Sequence, residues 1–143
     1  MGLQHEVQRT LQSQFDDSRI AYRWERFPAN ILEINHTDAA IRGIKSGDWI
    51  EVKNYNVLTH TGESQSAKFK AVAYVTDQVA SRVTCSHFLF GQRRLEMAAN
   101  SVTPGMADHI NNRQRYKLAK GLVERIGESE FEGTMSFPPR NLV

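Results

Sequence analysis

The residue types that most often carry out chemistry, histidine and cysteine, are sparse in this sequence. Its five histidines are widely spaced and form no H-x-x-x-H or H-E-x-x-H pair, so we expect no metal site. Cys85 is the only cysteine, which excludes an internal disulfide, a thiolate zinc cage and an iron–sulfur cluster held by this chain alone. Because Cys85 lies in an apolar run, we interpret it as a small buried side chain rather than a nucleophile.

Motifs for nucleotide binding and for nucleophilic catalysis are also missing. The sequence contains no G-x-G-x-x-G, no G-x-x-x-x-G-K-[ST] and no G-x-S-x-G. The adjacent carboxylates Asp16 and Asp17 are interpreted as a solvated turn, since neighbouring residues seldom converge on one substrate. We therefore expect no catalytic residues in this chain and no redox or hydrolytic turnover by the chain alone.

Length and charge exclude further classes of protein. The 143 residues are enough for one domain, and the 40% hydrophobic content is that of a globular chain. A net charge of +2 lacks the concentrated basic excess of a nucleic-acid binder, so we expect no nucleic-acid partner. No apolar run approaches the ~20 residues of a membrane span, and no apolar segment of a signal peptide follows Met1.

The pattern along the chain is that of a mainly β domain with one clear helix. Asn35 is a good N-cap, and Asp38 three residues later predicts a capping box for a helix that ends near Arg42, followed by Gly43. Gly47 and Asp48 predict a tight turn. Alternation or β-branched content predicts strands at 31–34, 49–52, 67–76, 83–90 and 116–126. Many short strands in one domain indicate a barrel or a sandwich.

Four blocks of the sequence resemble a known family. Residues 32–52, LEINHTDAAIRGIKSGDWIEV, are similar to the hxxNPxDAxxxGIxxGDxVxV block of the C-terminal molybdopterin-dinucleotide-binding domain of the dimethyl-sulfoxide-reductase superfamily. His36 stands where that family usually has Pro, which is only a favourable residue at a first helical turn. HFLFG at 87–91, ANSVT at 99–103 and YK at 116–117 then follow in the family's order. The opening residues look most like those of arsenite-oxidase-like large subunits.

The resemblance implies a fold, a cofactor and a larger parent. The family fold is a six-stranded double-psi β-barrel, of the type also found in aspartate decarboxylase. We expect a single domain over 1–143, with a barrel core at about 11–126 and an extended tail at 127–143. The implied cofactor is molybdopterin guanine dinucleotide, with its molybdenum or tungsten held by the parent. The partner is an upstream catalytic domain or a large subunit, so the chain is either an excised domain or a natural small subunit. A cytoplasmic location fits the small subunit, and a periplasmic one fits an arsenite-oxidase-like parent.

The resemblance also assigns cofactor contacts residue by residue. Asn100 matches the family asparagine whose carboxamide contacts the cofactor, and a carboxamide can both donate to and accept from a pterin or guanine edge. Lys117 would meet a pyrophosphate, and Phe90-Gly91 would allow the backbone to approach the ligand. Gln12, Ser13 and Gln14 occupy the family's first contacting segment. The alternatives are a loop asparagine, a solvated lysine and a simple strand end.

Other double-psi barrels leave a second function open. A double-psi or swapped-hairpin barrel module in DNA-binding transcription regulation would account for the first block alone. The near-neutral charge and the blocks around Asn100 and Lys117 argue against it. A decarboxylase of the same barrel type would need a self-cleaving Gly-Ser dipeptide, which this sequence lacks.

Overall fold

The structure is a computed structural model that describes residues 29–86, 95–105, 110–111 and 119–130. Its elements, in chain order, are β1 (Ile31–Asn35), α1 (His36–Ile41), β2 (Asp48–Leu58), β3 (Ser64–Thr76), β4 (Thr84–Ser86), the 3₁₀ turns η1 (Leu95–Met97) and η2 (Ala99–Val102), and β5 (Leu122–Glu128). The prediction of a mainly β chain with little helix is confirmed. Within the described residues the strands form one open sheet of five, in the order β4-β1-β3-β2-β5.

Strand pairing is antiparallel except at the centre of the sheet. β2 and β3 form a hairpin whose turn is closed by Thr59 N donating to Glu63 O at 2.8 Å, with Gly62 at a φ of +84°. β1 runs parallel to β3, with Ile31 opposite Val72, and is flanked on its other side by the antiparallel β4. The parallel pair requires a crossover, because β2 separates β1 from β3 along the chain.

Both faces of the central strand β3 are buried. Phe69, Ala71 and Ala73 lie in the main core, as the alternation of this segment predicts. Val72 points the other way and is also fully buried, in a second cluster that includes Trp49 and Met97. The 3₁₀ turns supply part of both layers, since Met97 belongs to the second cluster and Ala99 and Val102 belong to the main core.

The predicted helix is present, with one correction. Asn35 caps it, and its Oδ1 accepts from Thr37 N at 2.9 Å. Gly43 follows the helix at a φ of +64°, as expected for a left-handed residue at a helix end. The second half of the predicted capping box is wrong, because the Asp38 carboxylate turns away from the helix and accepts from Ser81 and Arg82 instead.

The hairpin and the last strand also differ from the sequence prediction. The sequence pattern predicts this strand only at 49–52, but β2 continues to Leu58. Its polar side chains are paired across the sheet: Lys53 contacts Glu124 at 2.5 Å and Glu51 contacts Lys68 at 3.0 Å. Cross-strand ion pairs therefore replace the apolar alternation that marks a strand in sequence. Within the described residues β5 begins at Leu122, since residues 119–121 belong to no strand; residues 116–118 and 87–90 of the predicted strands lie outside the described residues.

The tight turn before β2 is built around a buried carboxylate. Gly47 has a φ of +94°, and Asp48 Oδ2 accepts from Lys45 N at 2.8 Å, so the predicted turn is confirmed. Asp48 is only 4% exposed and also binds Arg125 of β5 in a fork, with Nε to Oδ2 at 2.8 Å and Nη2 to Oδ1 at 3.1 Å. The hydrogen bond from Arg125 is the main cause that lowers the pKa of Asp48. The turn is therefore tied to the edge strand β5.

Candidate functional site

Asn100 lies on a short turn that is anchored to the sheet on both sides. Its neighbours Ala99 and Val102 in η2 are fully buried, whereas Asn100 itself is exposed. Its backbone oxygen accepts from both the amide and the hydroxyl of Thr103, at 3.2 and 2.8 Å. Among the described residues its side-chain amide makes no hydrogen bond. A carboxamide held in this way has its donor and its acceptor available to a ligand.

Two other asparagines hold the segment that carries Asn100. Before it, the fully buried Asn30 donates from Nδ2 to Met97 O at 2.9 Å. After it, Asn54 of β2 donates from Nδ2 to Val102 O at 3.0 Å. Further on, Gly105 N donates to Leu58 O at 2.8 Å. The bonds from Asn30 and Asn54 satisfy carbonyls that short 3₁₀ turns leave free, and together with the Gly105 bond they fix the position of Asn100 against the sheet.

The remaining cofactor contacts expected from the sequence cannot be placed. They lie outside the described residues and comprise Gln12, Ser13, Gln14, Phe90, Gly91 and Lys117. Their roles stay predictions.

A cavity of about 230 Å³ lies where α1, the loop before β4 and the start of β5 meet. Its wall carries three cationic side chains, Arg42, Arg82 and Lys120, and one carboxylate, Asp38. The rest of the lining is Ile34, Thr84, Ala119, Gly121 and Val123. The three cations are exposed and Thr84 is buried, so charged groups surround the mouth of a partly apolar cavity.

Asp38 fixes the loop that brings Arg82 to this cavity. Its carboxylate accepts from Ser81 Oγ at 3.0 Å and from Arg82 N at 2.5 Å, across more than forty residues of sequence. The bond from the Arg82 backbone is the main cause that lowers the pKa of Asp38, so this carboxyl group is ionised at neutral pH. Asn35 supports the same loop by donating from Nδ2 to Val79 O at 2.8 Å.

Arg82 has a left-handed backbone, with a φ of 65° and no glycine to relieve it. Such a conformation costs an ordinary side chain roughly 1–2 kcal/mol. Strain of this kind often marks functional segments. Sequence reasoning missed Arg82 and Lys120, because neither belongs to a motif, and it assigned Asp38 a purely helical role.

We expect the backbone strain at position 82 to be measurable by substitution. Arg82→Gly should unfold at the same urea concentration as the unsubstituted chain or at a higher one, because glycine adopts positive φ without a Cβ clash. Arg82→Val should lose about 1–2 kcal/mol, because a β-branched residue is least tolerant of this conformation. Urea unfolding followed by circular dichroism distinguishes the two variants. Equal losses in both would show that the arginine side chain, and not the backbone, determines stability here.

Cys85 shows no sign of reactivity. Burial is the main cause that raises the pKa of its thiol to about 11, with the nearby Glu33 carboxylate adding to the shift. The thiol is therefore protonated at neutral pH and is a poor nucleophile or metal ligand. Within residues 29–86 and the three shorter described ranges, no group of three or more His, Cys, Asp or Glu side chains could hold a metal ion. No described helix is long and apolar enough to cross a membrane.

Comparison with known proteins identifies the family. The molydopterin dinucleotide binding domain family matches residues 3–120. The chain is 33% identical over 161 aligned positions to the iodate reductase subunit IdrA of Pseudomonas sp. (strain SCT), and 32% identical over 161 to that of Denitromonas iodatirespirans. The alignments cover 96% of this chain but only 18% and 17% of the two relatives, so the chain spans less than a fifth of their length. Nothing in these matches or in the described fold supports the DNA-binding alternative. The chain therefore belongs to the molydopterin dinucleotide binding domain family, as its sequence blocks predict.

Proposed function

We propose that this chain supplies the cofactor-binding domain of a larger oxidoreductase similar to iodate reductase. The observation that carries the proposal is the asymmetry of coverage, 96% of this chain against 17–18% of relatives that are named as reductase subunits. The rest of the parent would form the other side of the cofactor cleft and would hold the metal. In this arrangement the bound cofactor supplies the redox chemistry of molybdenum or tungsten.

Two features of the described residues fit a pterin dinucleotide. The exposed amide of Asn100 offers both a donor and an acceptor on an anchored turn, which suits the edge of a pterin or guanine ring. The cations around the cavity suit its phosphates. In this proposal Lys117 meets the pyrophosphate, Phe90-Gly91 allow close backbone approach, and Gln12, Ser13 and Gln14 supply further contacts. The chain's task is to bind and orient the cofactor and to exclude water from one side of it.

The proposal includes the family's closed fold. We infer a six-stranded double-psi barrel over the single domain 1–143, with the barrel core at about 11–126 and a tail at 127–143. The parallel pairing of β1 with β3 supports it, since that pairing requires a crossing connection, as does the match over 3–120. The sixth strand would come from the part of the chain that lies outside the described residues.

The contact role of Asn100 is tested in the full parent protein. We expect Asn100→Ala to weaken cofactor retention about 10-fold, because removing a hydrogen-bonding partner of a buried ligand costs ~1–3 kcal/mol. Retention is measured as metal and released guanine nucleotide per protein after dialysis. The isolated chain should unfold at an unchanged urea concentration, because Asn100 is exposed and its side chain bonds to no described residue.

Asn56→Ala is the matched control. Asn56 is also an exposed asparagine, but it lies on the β2–β3 hairpin, where its side chain accepts only from Ser64 among the described residues. Its removal should leave retention unchanged. If Asn100→Ala destabilises the isolated chain and the parent keeps its cofactor, Asn100 is structural.

The parent itself should oxidise a reduced dye when iodate is added. Turnover with arsenite and none with iodate would favour an arsenite-oxidase-like parent.

A further inference from the structure

Among the described residues, the charges that line the cavity between α1, β4 and β5 do not balance. Arg42, Arg82 and Lys120 face a single carboxylate, Asp38. That carboxylate is already occupied by Ser81 Oγ and Arg82 N. Neither Lys120 nor the Arg82 guanidinium has a salt-bridge partner among the described residues. The surplus is two positive charges at the mouth of one cavity, and a concave site of one sign attracts an oppositely charged ligand.

The chemistry of the lining narrows the class of that ligand. Arginine forks bind phosphoryl oxygens in a bidentate manner, and a lysine adds a mobile point charge. Thr84, buried at 9% exposure, supplies a hydroxyl that can donate to an oxyanion. Ile34 and Val123 contribute apolar side chains to the same lining. From this arrangement we propose that the cavity bounded by Arg42, Arg82 and Lys120 binds a phosphoryl group, as phosphate or diphosphate.

The size of the cavity agrees with one such group. Its volume of about 230 Å³ is below the ~300–1,000 Å³ of pockets that enclose whole drug-sized ligands. It therefore holds a charged fragment and leaves the remainder of a larger ligand outside. A single carboxylate would neutralise only half of the surplus charge, whereas a diphosphate neutralises all of it.

Two sources can supply the phosphoryl group. It is the diphosphate of the bound dinucleotide, in which case this inference rests on the proposed function, or it is a free phosphate. Arg82 is positioned for either source by Asp38, which holds its backbone N–H at 2.5 Å in a left-handed conformation. The loop geometry therefore serves to direct this guanidinium, since a glycine at position 82 would fit the backbone with less strain.

The test is calorimetric titration of the full 143-residue chain with inorganic pyrophosphate at low salt. We expect saturable one-site binding that weakens as NaCl is raised from about 10 mM to about 150 mM, because exposed charges are increasingly screened. Arg82→Gly and Lys120→Gln should each weaken binding about 10-fold, as expected for the loss of one charge-assisted contact. Lys45→Gln is the matched control, since Lys45 is an exposed cation that does not line the cavity, and it should bind like the unsubstituted chain.

The titrations distinguish a specific phosphoryl site from diffuse attraction, and the dinucleotide from free phosphate as the ligand. Absence of saturable binding overturns the proposal, as does equal weakening by Lys45→Gln, which would show diffuse attraction only. The dinucleotide is supported as the source of the phosphoryl group by two results together. Pyrophosphate and guanosine diphosphate would bind more tightly than orthophosphate, and Arg82→Gly would reduce cofactor retention in the full parent. If orthophosphate binds as tightly as pyrophosphate and the Arg82→Gly parent retains its cofactor fully, the cavity binds a phosphoryl group whose source is free phosphate. Failure of the Asn100→Ala experiment would leave these titrations unaffected, so the two proposals fail separately.

Discussion

Replacing Asn30 with Asp is expected to destabilise the chain by about 3–5 kcal/mol at neutral pH, the cost of an uncompensated buried charge. Asn30 is fully buried, donates to Met97 O at 2.9 Å and accepts from Ser86 Oγ at 3.3 Å. A carboxylate of the same shape cannot donate, so the Met97 carbonyl would lose this donor and face a negative oxygen. Urea unfolding at pH 7 measures the loss.

The pH dependence of this variant provides a second check. Burial favours the neutral form, so the folded-state pKa of the new carboxyl group is raised above its unfolded value. The deficit should therefore be smallest at pH values below about 4, where both states are protonated, and should grow as pH rises through the folded-state pKa. The protonated carboxyl can still donate to Met97 O. Asn56→Asp, on the exposed hairpin, is the control and should change little. A loss of stability below about 1 kcal/mol that does not depend on pH would contradict the buried, hydrogen-bonded position of Asn30.

The same substitution bears on the proposed cofactor contact at Asn100. Met97 precedes Asn100 by three residues, and the bond from Asn30 fixes the start of that segment. Loss of the bond should therefore reduce cofactor retention in the parent even where the chain remains folded. Asn54→Ala should do the same from the other side, because Asn54 holds Val102 O.

Local signals in the sequence predicted the local structure well. Asn35, Gly43 and Gly47 each act through their own backbone or that of a near neighbour, and each is found in its predicted role. The inward face of β3 was predicted correctly because alternation is a property of consecutive residues. The burial of Val72 on the opposite face was not predicted, since it depends on Trp49 and Met97, which come from other parts of the chain.

The functional geometry depended on contacts between residues that are distant in sequence. The position of Asp38 in the sequence is typical of the first turn of a helix, but its carboxylate accepts hydrogen bonds from Ser81 and Arg82. Arg82 and Lys120 carry no motif, and only the fold brings them to one cavity. Asn100 could be singled out because the family resemblance supplied its role, not because its spacing did. Residue type and spacing alone do not reveal a site assembled from three separate segments.

Replacing Asp48 with Asn is expected to cost about 2–4 kcal/mol at pH 7, because it breaks a buried ion pair and weakens the acceptor for Lys45 N. This expected loss is smaller than that for breaking a fully buried ion pair, because the Arg125 side chain is 36% exposed and solvent partly screens its charge. Arg125→Gln should cost less, and the double variant should lose less than the sum of both single losses, because the two side chains form one interaction.

Acidification should remove the stability that the ion pair between Asp48 and Arg125 provides. The fork from Arg125 and the amide of Lys45 lower the folded-state pKa of Asp48 below its unfolded value. The stability that the ionised carboxylate provides is therefore fully present above about pH 4 and is lost as pH falls through the lowered folded-state pKa. The unsubstituted chain should lose stability on acidification faster than Asp48→Asn, so that their unfolding midpoints in urea converge as the pH falls below the ordinary Asp value. Glu63→Gln, at an exposed position in the hairpin, is the control and should follow the unsubstituted chain. Parallel curves for Asp48→Asn and the unsubstituted chain would show that the ion pair with Arg125 does not form in solution.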